Sequence, residues 1–175
     1  MNDIVMKKQI IYAPLIPRIF AMTIDSVILS LVLTPIMFFI SYNIFLHLFS
    51  DFFITYGVNT ADKDAIAVAL KMPEFATYFS PTRFFTYYCI PFLLNSFFLG
   101  AYFIFFWSKF GATPGKMLMR LKIVDANDFT TPTTRKLVKR FFGYITALFG
   151  IWTIIFSRRK MAVHDMIANT VVIKS

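Results

Sequence analysis

The stretch that decides the fold is RIFAMTIDSVILSLVLTPIMFFI, residues 18–40. From Met22 to Ser50 the sequence carries no charge except Asp25, with His47 taken as neutral. A helix needs about 20 apolar residues, at about 1.5 Å each, to cross a hydrocarbon core about 30 Å thick. This run is longer than that, so it reads as a membrane-spanning helix with an aspartate inside it. Two more uncharged stretches follow. Phe84–Ser108 has 25 residues, enough for a second span, and Phe141–Ser157 has 17, a thin one.

Composition agrees with an integral membrane protein. Of 175 residues, 58% are hydrophobic and 23 are Phe, above the ~45–50% apolar content of soluble domains. The start of the chain, MNDIVMKKQIIYAPLIPR, is basic. The apolar run behind it is too long for a signal peptide and has no small-residue cleavage site, so the first span is expected to be retained. Cys89 falls within the second span and suggests neither a disulfide nor a thiol metal site. The net charge of +9 is assigned to the flanks of the spans, beside anionic headgroups. No aromatic-and-basic recognition module accompanies it, so no nucleic-acid partner is expected.

Basic residues also orient the chain. Residues 1–18 carry a net +2, residues 51–83 a net −1, and residues 109–140 a net +6. The two long connections hold three and eight basic residues, so the positive-inside rule puts 51–83 outside and both the N-terminus and 109–140 inside. The expected location is a bacterial plasma (inner) membrane with a cytoplasmic N-terminus.

The third stretch does not fit a simple crossing. It would place Arg158, Arg159 and Lys160 outside, against the charge rule. Moreover, LKIVDA (121–126) and TVVIKS (170–175) are both short, β-branched and strand-like, and pairing with each other requires them to share a side. A re-entrant or interfacial segment is therefore favoured over a third span, with Gly143 and Gly150 as bending points. The expected architecture is an all-α membrane protein forming one domain over 1–175. Its spans lie at about 19–49 and 81–108, its outer loop at 51–80, a cytoplasmic segment at 109–140 and the short hydrophobic segment at 141–157, with a small cytoplasmic two-strand element. In the outer loop, TADKDAIAVALKM reads as a short amphipathic helix capped by Thr60, and Ser80–Pro81 as the cap and first position of span two.

Arg18 and Asp25 are seven residues apart, hence on one helix face and about 10 Å apart along the axis. Helical side chains lean toward the N-terminus, so Asp25 leans toward Arg18 while Arg18 leans away, and a bridging group is the expected link. An intramembrane carboxylate costs at least ~2.5–3.5 kcal/mol on insertion scales. Two readings follow with equal weight: a proton or cation site, or a polar clasp between helices. If span two runs antiparallel from Lys109, Tyr102 sits at the depth of Asp25 and is the first candidate partner. Asn95, deeper, is the second. Ser96 and Gly100, small and four apart, would let the helices approach.

Other motifs are weaker. GATPGK (111–116) has one residue too few between its glycines for a phosphate loop, and Met117 stands where Ser or Thr is needed. It reads as the turn leaving span two, with Lys116 near lipid phosphates. His164–Asp165 lacks any accompanying nucleophile or zinc motif, so no catalytic residue is assigned.

Together these pieces resemble the RDD family of membrane proteins, named for one arginine and two aspartates. The arginine and first aspartate correspond to Arg18 and Asp25 in PRIFAMTIDS. The family's G-x-T-P-G-K turn matches GATPGKMLMRLKIVD, and the second aspartate matches Asp165 in VHDMIANTVVIKS. The resemblance runs from about residue 12 to 174, with an outer loop longer than in a compact member. It implies a role in transport of unidentified ligands. From the residues themselves no enzymatic activity, cofactor or metal is expected. On this reading Asp165 meets Arg18 at the inner face. The leading expectation is transport of an ion or small solute with Asp25 as the intramembrane site. The alternative is a non-transporting adaptor or assembly factor in which Arg18, Asp25 and Asp165 form a clasp. Since two spans cannot enclose a pathway, the expected partners are the bilayer, its anionic headgroups, and further copies of the chain or other membrane subunits.

Overall fold

A computed structural model describes residues 10–146 and 150–175. The basic residues Lys7 and Lys8 and the middle of the third hydrophobic stretch, 147–149, lie outside the described residues. Two long helices dominate: α1, Leu15–Leu48, with 34 residues, and α4, Pro81–Phe110, with 30. Each is long and apolar enough to cross a membrane, and only 6% of each apolar stretch is buried. Leu31, Phe38 and Phe39 on α1, and Phe92 and Phe97 on α4, are at least 67% exposed. Apolar surface on that scale requires an apolar solvent.

The chain divides into two compact units. One comprises the residues up to Leu29 and from Leu99 onward; the other is Ser30–Phe98. Between the long helices, the second unit holds α2 (Ser50–Thr55), α3 (Lys63–Ala69) and a 3-10 turn at Pro73–Tyr78. Its core is aromatic: Phe49, Phe52, Phe53 and Phe75 are buried together with Ile66 and Ala69. The cap of α3 is Asp62, whose carboxylate accepts from the Asp64 and Ala65 N–H groups, and not Thr60 as the sequence suggested. Asp is as good a cap as Thr and stands directly before the first helical residue. Ser80 caps α4 as expected, accepting from the Arg83 N–H at 3.2 Å.

In the first unit, α4 ends at Gly111, whose φ of +68° supplies the left-handed exit that glycine adopts without strain. A short helix α5 (Pro114–Leu118) leads into β1 (Leu121–Asp125). Then come α6 (Thr134–Gly143), a 3-10 turn at Tyr144–Thr146, α7 (Thr153–Phe156), α8 (Val163–Ala168) and β2 (Thr170–Lys174). The two strands pair antiparallel, Leu121 opposite Lys174 and Asp125 opposite Thr170, as the strand-like sequences predicted. The segment before α1 joins them, with Ala13 N–H donating to Val172 O at 2.9 Å and Lys174 N–H to Ile11 O at 2.9 Å. Beneath the sheet, Trp107, Leu121, Ile123, Leu137 and Val172 form the apolar core.

Candidate functional site

The polar site is built on the first turns of α1. Arg18, Ala21 and Asp25 are the buried residues of that helix, spaced three and four apart, so they form one stripe. All three nitrogens of the Arg18 guanidinium are used. Nε donates to Ala13 O at 3.2 Å, Nη1 to Asp165 Oδ2 at 2.6 Å, and Nη2 to Lys160 O at 2.6 Å. Asp165 is fully buried at the first turn of α8, where Oδ2 also accepts from the Ala162 N–H at 3.1 Å. Its other oxygen lies 2.6 Å from Arg140 Nη1 on α6, which itself donates to Thr170 Oγ1 at 2.7 Å. One carboxylate thus ties α1, α6 and α8 through two buried guanidinium groups.

Electrostatics follow from that enclosure. Burial alone would raise the Asp165 carboxyl, but Arg140 and Arg18 outweigh it and hold the group well below the usual carboxylate range. His164, stacked on Tyr144 with ring centroids 4.4 Å apart, is pushed down to about 3 by burial and then by Arg140. It is therefore neutral at ordinary pH, and its 3.5 Å approach to Asp165 is not an ion pair.

Asp25 belongs to a separate set of bonds. Its Oδ1 accepts from the Tyr102 hydroxyl at 3.2 Å and the Gly115 N–H at 2.8 Å, and its Oδ2 from the Thr113 hydroxyl at 2.5 Å. Tyr102 stands where the register from Lys109 put it. Asn95 lies in the other compact unit. Thr113 and Gly115 were not foreseen as partners. Their signal lay in the T-P-G turn, read only as an exit from span two. Gly115 is required there because a Cβ would fall 2.1 Å from Ala21 O. Gly100 serves a different neighbour from the one expected, since an added Cβ would meet the Phe141 ring at 3.2 Å. Lys116 corrects the sequence reading outright. It is 7% exposed, with its ammonium 6.0 Å from the centre of the Trp107 ring, so it is buried inside the fold and not spread over the outer surface. The turn that carries it folds back on α1 and takes the side chain inward.

Arg140 was missed as well. The clue was available: α6 is strongly amphipathic, and Arg140 stands three residues after the buried Leu137, on its apolar face. Beside these groups lies a cavity of about 70 Å³, with Arg18, Asp25, Lys116, Arg140, Tyr144 and His164 among its walls. Among the described residues, no cluster of His, Cys, Asp and Glu has the make-up of a metal site.

The model of the RDD family matches residues 12–169. This chain belongs to the RDD family. Arg18, Asp25 and Asp165 all fall inside the matched region of this RDD protein. It is also 39% identical over 173 residues to an uncharacterized protein of Rickettsia prowazekii (strain Madrid E), which covers 97% of this chain and 100% of the relative. No solved structure matches it.

Proposed function

We propose that this RDD protein is a non-enzymatic inner-membrane subunit that binds a small ion or solute in the cavity beside Asp25, in a transport-related role. The observation that carries the reading is the cavity itself: a small, charge-lined space at the junction of a spanning helix and the polar elements. Two spans do not enclose a pathway, so the role requires a homo-oligomer or partner subunits.

The proposed topology has two crossings, with both chain ends cytoplasmic and 51–80 outside. The pairing of β1 with β2 supports it, because strands joined by hydrogen bonds lie on one side of the bilayer. An even number of crossings must then separate Asp125 from Thr170, which favours re-entry for the hydrophobic stretch 141–157. The segment at Tyr12–Ala13, bonded to the same strand, extends the same logic to the chain before α1.

A second reading is favoured by a specific observation. The groups around Asp25 are three donors aimed at one carboxylate, an arrangement that fastens the T-P-G turn to α1. In that case the polar residues are a clasp and the protein an adaptor or assembly factor. Asp25→Asn separates the two, since asparagine keeps hydrogen bonding without the charge. The transport reading expects normal abundance with loss of ion- or pH-dependent growth in a complementation assay. Normal growth with normal abundance removes it, and reduced abundance with no other defect favours the clasp.

A further inference from the structure

We infer that the cavity is a receptor for a single phosphate-class oxyanion, held by Lys116 together with Arg140 and Arg18. The inference rests on the cavity's being a ligand site, though not on transport. Its first support is charge. Three cationic side chains, Arg18, Lys116 and Arg140, line the cavity, and each is at most 7% exposed. Against them stand Asp25 in the wall and Asp165 behind it, both buried, while His164 is neutral. The cluster carries one positive charge too many, and a buried charge without a counter-charge is costly.

The second support is unused bonding capacity. Lys116 forms no ion pair among the described residues, with the Trp107 ring face as its neighbour. The Nε–H of Arg140, in the cavity wall, is buried without a hydrogen-bond acceptor. Buried donors are normally satisfied, so such an orphan beside the cavity marks a missing acceptor. An oxyanion supplies several acceptor oxygens and one negative charge together, and guanidinium and ammonium groups are its usual hosts.

Size narrows the class. About 70 Å³ exceeds the ~10–15 Å³ one water needs and falls far short of the ~300–1,000 Å³ of a drug-sized site. The ligand is therefore one small anionic group: free phosphate, or the phosphodiester of an anionic lipid whose tail remains outside. Met22, Leu29 and Phe103 provide the apolar walls that the second source would use.

The test is thermal unfolding of the full chain in phosphate-free maltoside micelles. Inorganic phosphate is titrated in one arm and phosphatidylglycerol in the other, with chloride matched for ionic strength. A saturable rise in melting temperature in the first arm assigns a free anion, and in the second arm alone a lipid. Lys116→Met should weaken the response roughly ten- to hundredfold, the loss of one charge-assisted bond, and Lys116→Arg should retain it. No rise in either arm overturns the inference, as does an equal rise in Lys116→Met. A Lys116→Met chain that fails to fold also counts against it, because the unliganded protein offers Lys116 no counter-charge to lose. Stabilisation by phosphate or lipid in a protein whose Asp25→Asn variant grows normally would keep the anion site and remove the transport reading.

Discussion

The two units solve the same problem with opposite chemistry. Ser30–Phe98 is held by rings: Phe75 meets both Phe49 and Phe52 at centroid distances of 5.0 Å, and the charged pair Asp51–Arg83 lies toward solvent. The other unit buries its charges and joins its elements through them. Apolar packing tolerates exchange among residues of similar volume. A buried carboxylate between two guanidinium groups has one geometry, and every partner must be present. Specificity in this molecule is therefore concentrated in a few polar residues of one unit, while the other supplies stability that many sequences provide.

The sharpest way to break that contrast is Asp165→Asn. It leaves Arg18 and Arg140 buried against a neutral amide, and is expected to cost about 3–5 kcal/mol. Fluorescence-detected size exclusion would show the monodisperse peak collapsing; a peak like that of the native protein would mean the ion cluster is not structural.

A smaller effect should appear with acid. The His164 value is lowered from 6.5 to about 3 on folding, so the unfolded chain binds more protons between those pH values, and stability falls as pH drops below about 6.5. From neutrality to pH 5 the loss is about 2 kcal/mol. His164→Phe keeps the stack on Tyr144 and should flatten that part of the melting profile. An unchanged slope would assign the acid sensitivity elsewhere.

The smallest change is expected in the aromatic unit. Phe52 is fully buried, yet Phe52→Leu should cost only about 1–1.5 kcal/mol, because neighbouring rings repack. A chemical-denaturation or thermal loss as large as that of Asp165→Asn would erase the distinction between the units.

How much of this was readable beforehand varied with the physics involved. The long helices follow from hydropathy alone, and the strand pair from two β-branched hexamers that had no other use. Arg18 and Asp25 stood out because charges are rare in or beside apolar runs, and Asp165 through the resemblance to the RDD family. Tyr102 came from helical register counted inward from Lys109. Arg140 did not emerge because its place on the apolar face of α6 went unread, and Thr113 and Gly115 because their roles depend on the turn after Gly111 folding back onto α1. That is a tertiary event with no periodic trace. The same event reverses the expected place of Lys116. Local spacing says that it is near an interface, but not that the turn carries it inward.

The bond between Arg18 and Asp165 joins residues 147 positions apart. At translation rates of about 5–20 residues per second, roughly 7–30 s pass between synthesis of the cation and synthesis of its anion. Throughout that interval the arginine at the head of the first helix is without the carboxylate it finally binds. Biogenesis of this protein is thus a waiting problem: the opening residues of its first span are among the last to reach their final company.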